Sequence, residues 1–186
     1  MLRLVAITSS FLLLAAASAG PAVAVAKNVK VGKQAPELEL RNTENRPYRL
    51  SEIAYPGTPK ARFPKSSVLL DFFSTSCTPC RKALPDVIKL RHATKDKGLK
   101  IILVAVLEMT DPDARNDLDE FLRQNPVPFP VLIDAYQDAA KAYVNKGDKA
   151  DVPSYILIDS NGIIRDISSK LNPMAVLDLL DEQQVN

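Results

Sequence analysis

Val68-Leu69-Leu70-Asp71-Phe72-Phe73-Ser74-Thr75-Ser76-Cys77-Thr78-Pro79-Cys80 passes directly from an apolar run into a pair of cysteines. Val68 to Phe73 is apolar except for Asp71, the composition of a strand covered on both faces. From Thr78 the period changes. Leu84, Val87, Ile88 and Leu90 recur at helical spacing, and the pattern predicts a helix from Thr78 to Lys97 that Gly98 stops. Both sulfurs therefore stand at a strand-to-helix junction, and Cys77 and Cys80 are the chain's only cysteines.

That position predicts dithiol redox chemistry. At a helix start the backbone N–H groups lack intrahelical partners and the positive end of the macrodipole favours a thiolate. Cys77 is the expected nucleophile. Cys80, one helical turn in, is the resolving thiol that closes a Cys77–Cys80 disulfide and releases the reduced product. Pro79 removes no helical hydrogen bond in the first turn and stiffens the link between the sulfurs. Two other readings compete. A purely structural bridge here closes almost no loop and so constrains the unfolded chain little. A zinc site lacks ligands, since His92 is the only histidine; no metal and no cofactor are expected.

Composition agrees with an ordinary globular domain: 186 residues, 46% hydrophobic, 25% charged and a formal net charge of +2 with both signs interspersed. No basic field points to nucleic acid. The N-terminus stands apart. Arg3 precedes an uncharged run from Leu4 to Ala26 centred on Phe11-Leu12-Leu13-Leu14, which reads as an export signal over 1–26, with Ala24-Val25-Ala26 preferred over Ala17-Ser18-Ala19 as the cleavage site. Retained, the same run is long enough to anchor the protein in a membrane. No cysteine follows it, so it carries no lipid. Residues 27–186 form the one domain expected, outside the cytoplasm and as a monomer.

Strand and helix alternate through this domain. Glu37 to Leu40 and Tyr48 to Leu50 flank Asn42-Thr43-Glu44-Asn45 as an N-terminal hairpin, and Ala54 to Ser67 is a surface loop bearing Lys60, Arg62 and Lys65. Ile101 to Leu107 is a second buried strand, Asp113 to Gln124 a helix, Val131 to Ile133 a short strand and Tyr136 to Tyr143 a helix. Tyr155 to Ile158 and Ile163 to Ile167 are joined by Ser160-Asn161-Gly162, and Asn172-Pro173 opens a last helix ending near Leu180. The fold class is α/β: a central mixed sheet with helices on both faces and an N-terminal β-hairpin extension.

Asp71 is the one polar residue in its strand. Buried, its carboxyl has a raised pKa; placed at a strand end, it reaches water. Glu108 closes the second strand on the edge where α/β ligands bind, as an acid–base or specificity residue or as a solvated glutamate. His92, between Arg91 and Lys95, belongs on the surface.

These residues resemble the thioredoxin fold, and in particular its exported TlpA/ResA-type proteins, over about residues 33 to 182. Val68 to Phe73 resembles the family's central strand, Cys77-Thr78-Pro79-Cys80 its active site, and Pro85 the proline that kinks its first helix. Val152-Pro153-Ser154-Tyr155-Ile156-Leu157-Ile158-Asp159 is similar to the cis-proline loop and the strand after it, with Asn161-Gly162 as the turn. The resemblance implies a thioredoxin fold, a cis Val152–Pro153 bond with Val152 beside the dithiol, and a proton-transfer role for Asp71 toward the resolving cysteine. It implies substrate contacts by Ser76, Thr78, Pro79, Val152 and Pro153. It further implies client proteins that carry cysteines outside the cytoplasm, apocytochrome c among them, with a membrane thiol donor keeping the protein reduced as a reductant. An oxidant or isomerase, or a copper-binding chaperone of related fold, are the alternatives. The chain departs from the pattern at Ser76, where the family usually has tryptophan, and at Ala83, where some cytochrome c maturation members carry a glutamate. The peroxiredoxin pattern needs threonine at 74 and proline at 70, and Ser74 and Leu70 stand there.

Overall fold

A computed structural model describes residues 29–55, 65–108, 110–146 and 149–184. The expected leader over 1–26 lies outside them, as does most of the expected loop between Ala54 and Ser67. Among the described residues no helix is long and apolar enough to cross a membrane.

The sheet is built on β3 (Ser67–Phe73), whose seven residues are all buried. It pairs in parallel with β4 (Leu99–Val106), which pairs in parallel with β5 (Val131–Asp134). On its other side β3 is antiparallel to β8 (Ser154–Ile158), and β8 is antiparallel to β9 (Ile164–Ser168). The N-terminal hairpin of β1 (Glu39–Asn42) and β2 (Pro47–Arg49) extends the sheet beyond β5, giving the order β2-β1-β5-β4-β3-β8-β9. The opposite edge is closed by the segment ahead of the hairpin: Gly32 N–H donates to the Ile164 carbonyl at 2.8 Å and Ala35 N–H to that of Gly162 at 2.8 Å. That edge of the mixed sheet is thereby covered.

Alternation along β3 divides the core. Val68, Leu70 and Phe72 face α3 (Asp138–Tyr143) and the turn Leu50–Glu52, with Phe72 and Tyr143 rings 5.6 Å apart. Leu69 and Phe73 face the other way, against α1 (Thr78–Ala93), α2 (Ala114–Gln124) and α4 (Pro173–Gln184). Helices thus lie on both faces, as the strand and helix periods predict.

Several boundaries differ from expectation. α1 stops at Ala93, four residues before Lys97, because the buried Thr94 donates its hydroxyl to the Leu90 carbonyl at 2.8 Å and leaves the helical φ/ψ. Gly98, at φ 73°, turns the chain into β4 instead. α3 starts at Asp138, since Gln137 adopts a left-handed φ of 58° that a helix cannot include. α4 runs past Leu180 to Gln184, where apolar periodicity has ended but polar ties to the sheet have not: the Ser67 hydroxyl donates to Gln183 Oε1 at 2.8 Å, and Arg165 meets Glu182 at 2.9 Å. A small hairpin of β6 (Asn145–Lys146) and β7 (Lys149–Ala150) has no counterpart in the sequence reading, because two-residue strands show no period.

Candidate active site

Cys77 and Cys80 emerge where β3 ends and α1 begins. Cys77 is the N-cap residue of α1, with extended backbone angles, and Pro79 lies in the first turn. The two sulfurs form a disulfide, with Cα atoms 5.3 Å apart. Their environments differ. Cys77 is half-buried, flanked by exposed Ser76, Thr78 and Pro79, whereas Cys80 is 4% exposed and packs with Leu84, Val87 and Phe73. Cys80 N–H donates to Cys77 Sγ at 3.1 Å, so one of the unpaired donors at the helix start points at the outer sulfur. A thiolate at Cys77 gains that hydrogen bond and the helix dipole together.

Asp71 occupies the middle of β3, between Leu103 of β4 and Tyr155 of β8, and is 3% exposed. It belongs to the face of Leu69 and Phe73, the face that α1 covers. The strand-end alternative is therefore excluded. Among the described residues its Oδ1 has no hydrogen-bond partner, and burial pushes its carboxyl pKa up to about 7.

The Val152–Pro153 peptide bond is cis. The loop containing it is held at both ends: Asp151 N–H donates to the Val144 carbonyl at 2.9 Å, closing the β6–β7 hairpin, and Ser154 Oγ donates to the Asp151 carbonyl at 2.5 Å. Val152 packs against both halves of the core, the helix-side half of which includes Cys80.

Two depressions flank the disulfide. One, of about 560 Å³, runs along α1 between Pro79, Ala83, Leu90, Pro153, Tyr155 and Leu171, and its wall is apolar. The other, of about 830 Å³, lies between Ser74, Ser76, Arg81, Glu108, Phe121 and Val152. Glu108 is exposed, two residues beyond the end of β4, and accepts from the Thr110 hydroxyl at 3.2 Å. It shares a depression with Ser76. His92 is exposed in the last turn of α1. Among the described residues no cluster of histidine, cysteine and carboxylate side chains is arranged to hold a metal ion.

The structure thus places Pro79 and Pro153 in one depression and Ser76 and Val152 in the other, with Cys80 and Asp71 buried on the face that α1 covers. Sequence reasoning missed Tyr155, which lines the apolar depression from within β8, and Arg81, which lines the polar one. For Tyr155 a signal existed: a phenol in a strand whose neighbours Ile156, Leu157 and Ile158 are all apolar.

The pattern of the AhpC/TSA family matches residues 31–167 of the chain. The chain belongs to the AhpC/TSA family. Within that family its relatives are thiol-disulfide oxidoreductases. The ResA protein of Geobacillus kaustophilus is 30% identical over 139 residues, covering 75% of this chain and 69% of that protein. The ResA protein of Bacillus subtilis is 24% identical over 156 residues, covering 83% of this chain and 76% of its own length. Among solved structures, a thiol:disulfide interchange protein DsbE of Chlorobium tepidum is 25% identical, with a TM-score of 0.64 over 82% of this chain and 99% of that one. The protein is a thioredoxin-fold thiol-disulfide oxidoreductase with its cysteine pair at disulfide distance.

Proposed function

We propose that the protein works outside the cytoplasm as a reductant of cysteine-bearing client proteins, in the manner of cytochrome c maturation, and is returned to the dithiol by a membrane thiol donor. The observation that carries this is the asymmetry of the pair: one sulfur half-exposed at a helix start, the other buried next to an apolar helix face. Cys77 thiolate attacks a client disulfide, forming a Cys77–client bond and expelling one client thiolate. Asp71, ionised in part near neutral pH, takes the Cys80 proton. Cys80 thiolate then attacks Cys77 Sγ, so that the Cys77–Cys80 bond forms, the second client thiolate leaves, and two electrons have passed to the client.

The direction is supported by the carboxyl buried beneath the pair. Strong oxidants owe their potential to a stabilised reduced form. Here the Cys80 N–H and the helix dipole favour the thiolate, while the buried carboxylate of Asp71, once ionised, opposes it. Export is supported by the apolar stretch of 1–26, and docking of an extended client segment beside Val152 by the exposed surface around Ser76, Thr78 and Pro79. With no aromatic at Ser76, client preference rests on the two depressions.

Turnover of insulin disulfides with dithiothreitol tests the activity, and equilibration of Cys77/Cys80 with a glutathione buffer tests the direction. A potential near that of thioredoxin, about −270 mV, is expected. A value of about −120 mV, typical of a strong oxidant, would reverse the assignment.

A further inference from the structure

Among the described residues two buried oxygens on the face that α1 and α4 cover lack hydrogen-bond partners, each other included, and they belong to directly paired residues: Asp71 Oδ1 on β3 and the Tyr155 hydroxyl on β8. An unpaired hydroxyl and an unpaired carboxyl oxygen each cost free energy when removed from water. A phenylalanine would fill the space of Tyr155 without the first cost. Cross-strand partners sit close enough for their side chains to interact, and the charge of Asp71 is felt at the phenol.

The groups around Asp71 leave few other donors. β4 presents Leu103, and β3 itself Leu69 and Phe73; α1 presents Cys80, Leu84 and Val87, and α4 Val176 and Leu179. Asp86, on α1, acts on Tyr155 as a second negative charge. Burial raises the proton affinity of Asp71, and no cation offsets it. Burial, then Asp71 and then Asp86 push the Tyr155 pKa upward, so the phenol stays protonated at neutral pH and remains a donor.

We propose that Tyr155 is the positioning residue of the Asp71 carboxylate: the two side chains, unbonded in this structure, close into a hydrogen bond from the Tyr155 hydroxyl when Asp71 ionises, so that the carboxylate is held inside the core and can receive the Cys80 proton. The inference rests on the proton-transfer role given to Asp71 above. In each turnover the phenol keeps its own proton. It donates to the carboxylate while Asp71 is ionised, and the Cys80 proton passes to Asp71 as the Cys77–Cys80 bond forms.

The test is Tyr155→Phe, which retains the ring and its packing. Carboxyl-carbon NMR titration of Asp71 in the disulfide form needs no client and reads whether the bond forms as the carboxyl ionises. Loss of one hydrogen bond to a charged group raises the titration midpoint by roughly one pH unit. The pH–rate profile of insulin reduction moves up by a similar amount, and the Tyr155→Phe effect on that profile vanishes in an Asp71→Asn background. An unmoved Asp71 midpoint overturns the proposal, as does a profile shift that Tyr155→Phe still produces when Asp71→Asn has already removed the carboxyl. Failure of insulin turnover in the unsubstituted protein rejects the functional reading, while the carboxyl titration still decides the Tyr155–Asp71 relationship.

Discussion

The Cys80 backbone N–H donates to Cys77 Sγ at 3.1 Å, so the buried member of the pair supplies the polar contact of the exposed one. The contact follows from placing Cys77 at the N-cap of α1, where the next turn's donors have no helical acceptor. Nucleophile and resolving thiol are thus fixed by one turn of backbone, and their roles are not interchangeable.

Cys80→Ser is expected to stall the reaction after its first step. Cys77 still attacks, but nothing displaces the client, and a mixed disulfide accumulates that mass spectrometry detects as a client adduct on Cys77. Cys77→Ser gives no adduct, and turnover falls to background. An adduct on Cys80 in that variant would contradict the assigned order of attack.

Asp71→Asn is expected to stabilise the protein at alkaline pH. Burial raises the Asp71 pKa from 3.8 to about 7 in the folded state. Its contribution to stability is therefore fully present below the unfolded value and is lost as pH rises through about 7. Asparagine removes that loss, so the gain of the variant grows between about pH 4 and pH 7 and then levels off, at no more than about 4 kcal/mol. Urea unfolding of the disulfide form at about pH 4 and about pH 8 measures it. Equal stability changes at both values would show that Asp71 does not titrate in the core.

The sequence carried the sheet and the site to different depths. Buried strands were legible because Val68 to Phe73 and Ile101 to Leu107 are almost continuous apolar runs, and the dithiol because two cysteines abut a strand and a helix. Helix ends were not: Thr94, Gln137 and Gln183 each decide a boundary through a hydrogen bond or a left-handed φ that leaves no periodic trace. Tyr155 was missed for a related reason. Its meaning depends on register, and only the pairing of Asp71 with Tyr155 shows that two unpartnered oxygens share one face.

Gly162→Ala is expected to loosen the turn that joins β8 and β9 and the N-terminal segment packed on it. Gly162 has φ 81°, and a Cβ there would collide with Gln34 Nε2 and the Tyr55 ring. Left-handed strain and overpacking together cost roughly 2–4 kcal/mol. The Asp159 carboxylate, which accepts from Asn161 and Ile163 N–H groups at 2.9 Å each, holds the turn in that conformation. A lower urea midpoint with an unchanged Cys77/Cys80 potential is the expected pattern, since the turn lies away from the sulfurs.

Asp134→Ala is expected to unpin the start of α3. Asp134 ends β5, is 1% exposed, and accepts from Ala139 N–H at 3.3 Å and Ala140 N–H at 2.7 Å, doing from a distance what Gln137, with no capping bond of its own, does not. Its pKa is raised because burial outweighs the backbone hydrogen bonds it accepts. Removing the acceptor leaves two buried donors unsatisfied, a loss of about 1–3 kcal/mol. Asn keeps one acceptor oxygen and recovers part of the loss. Amide exchange localises the effect: Ala139 and Ala140 lose protection first, while the amides of β3 and α1 keep theirs. Protection lost uniformly across the sheet would mean that Asp134 supports the core and not the helix start.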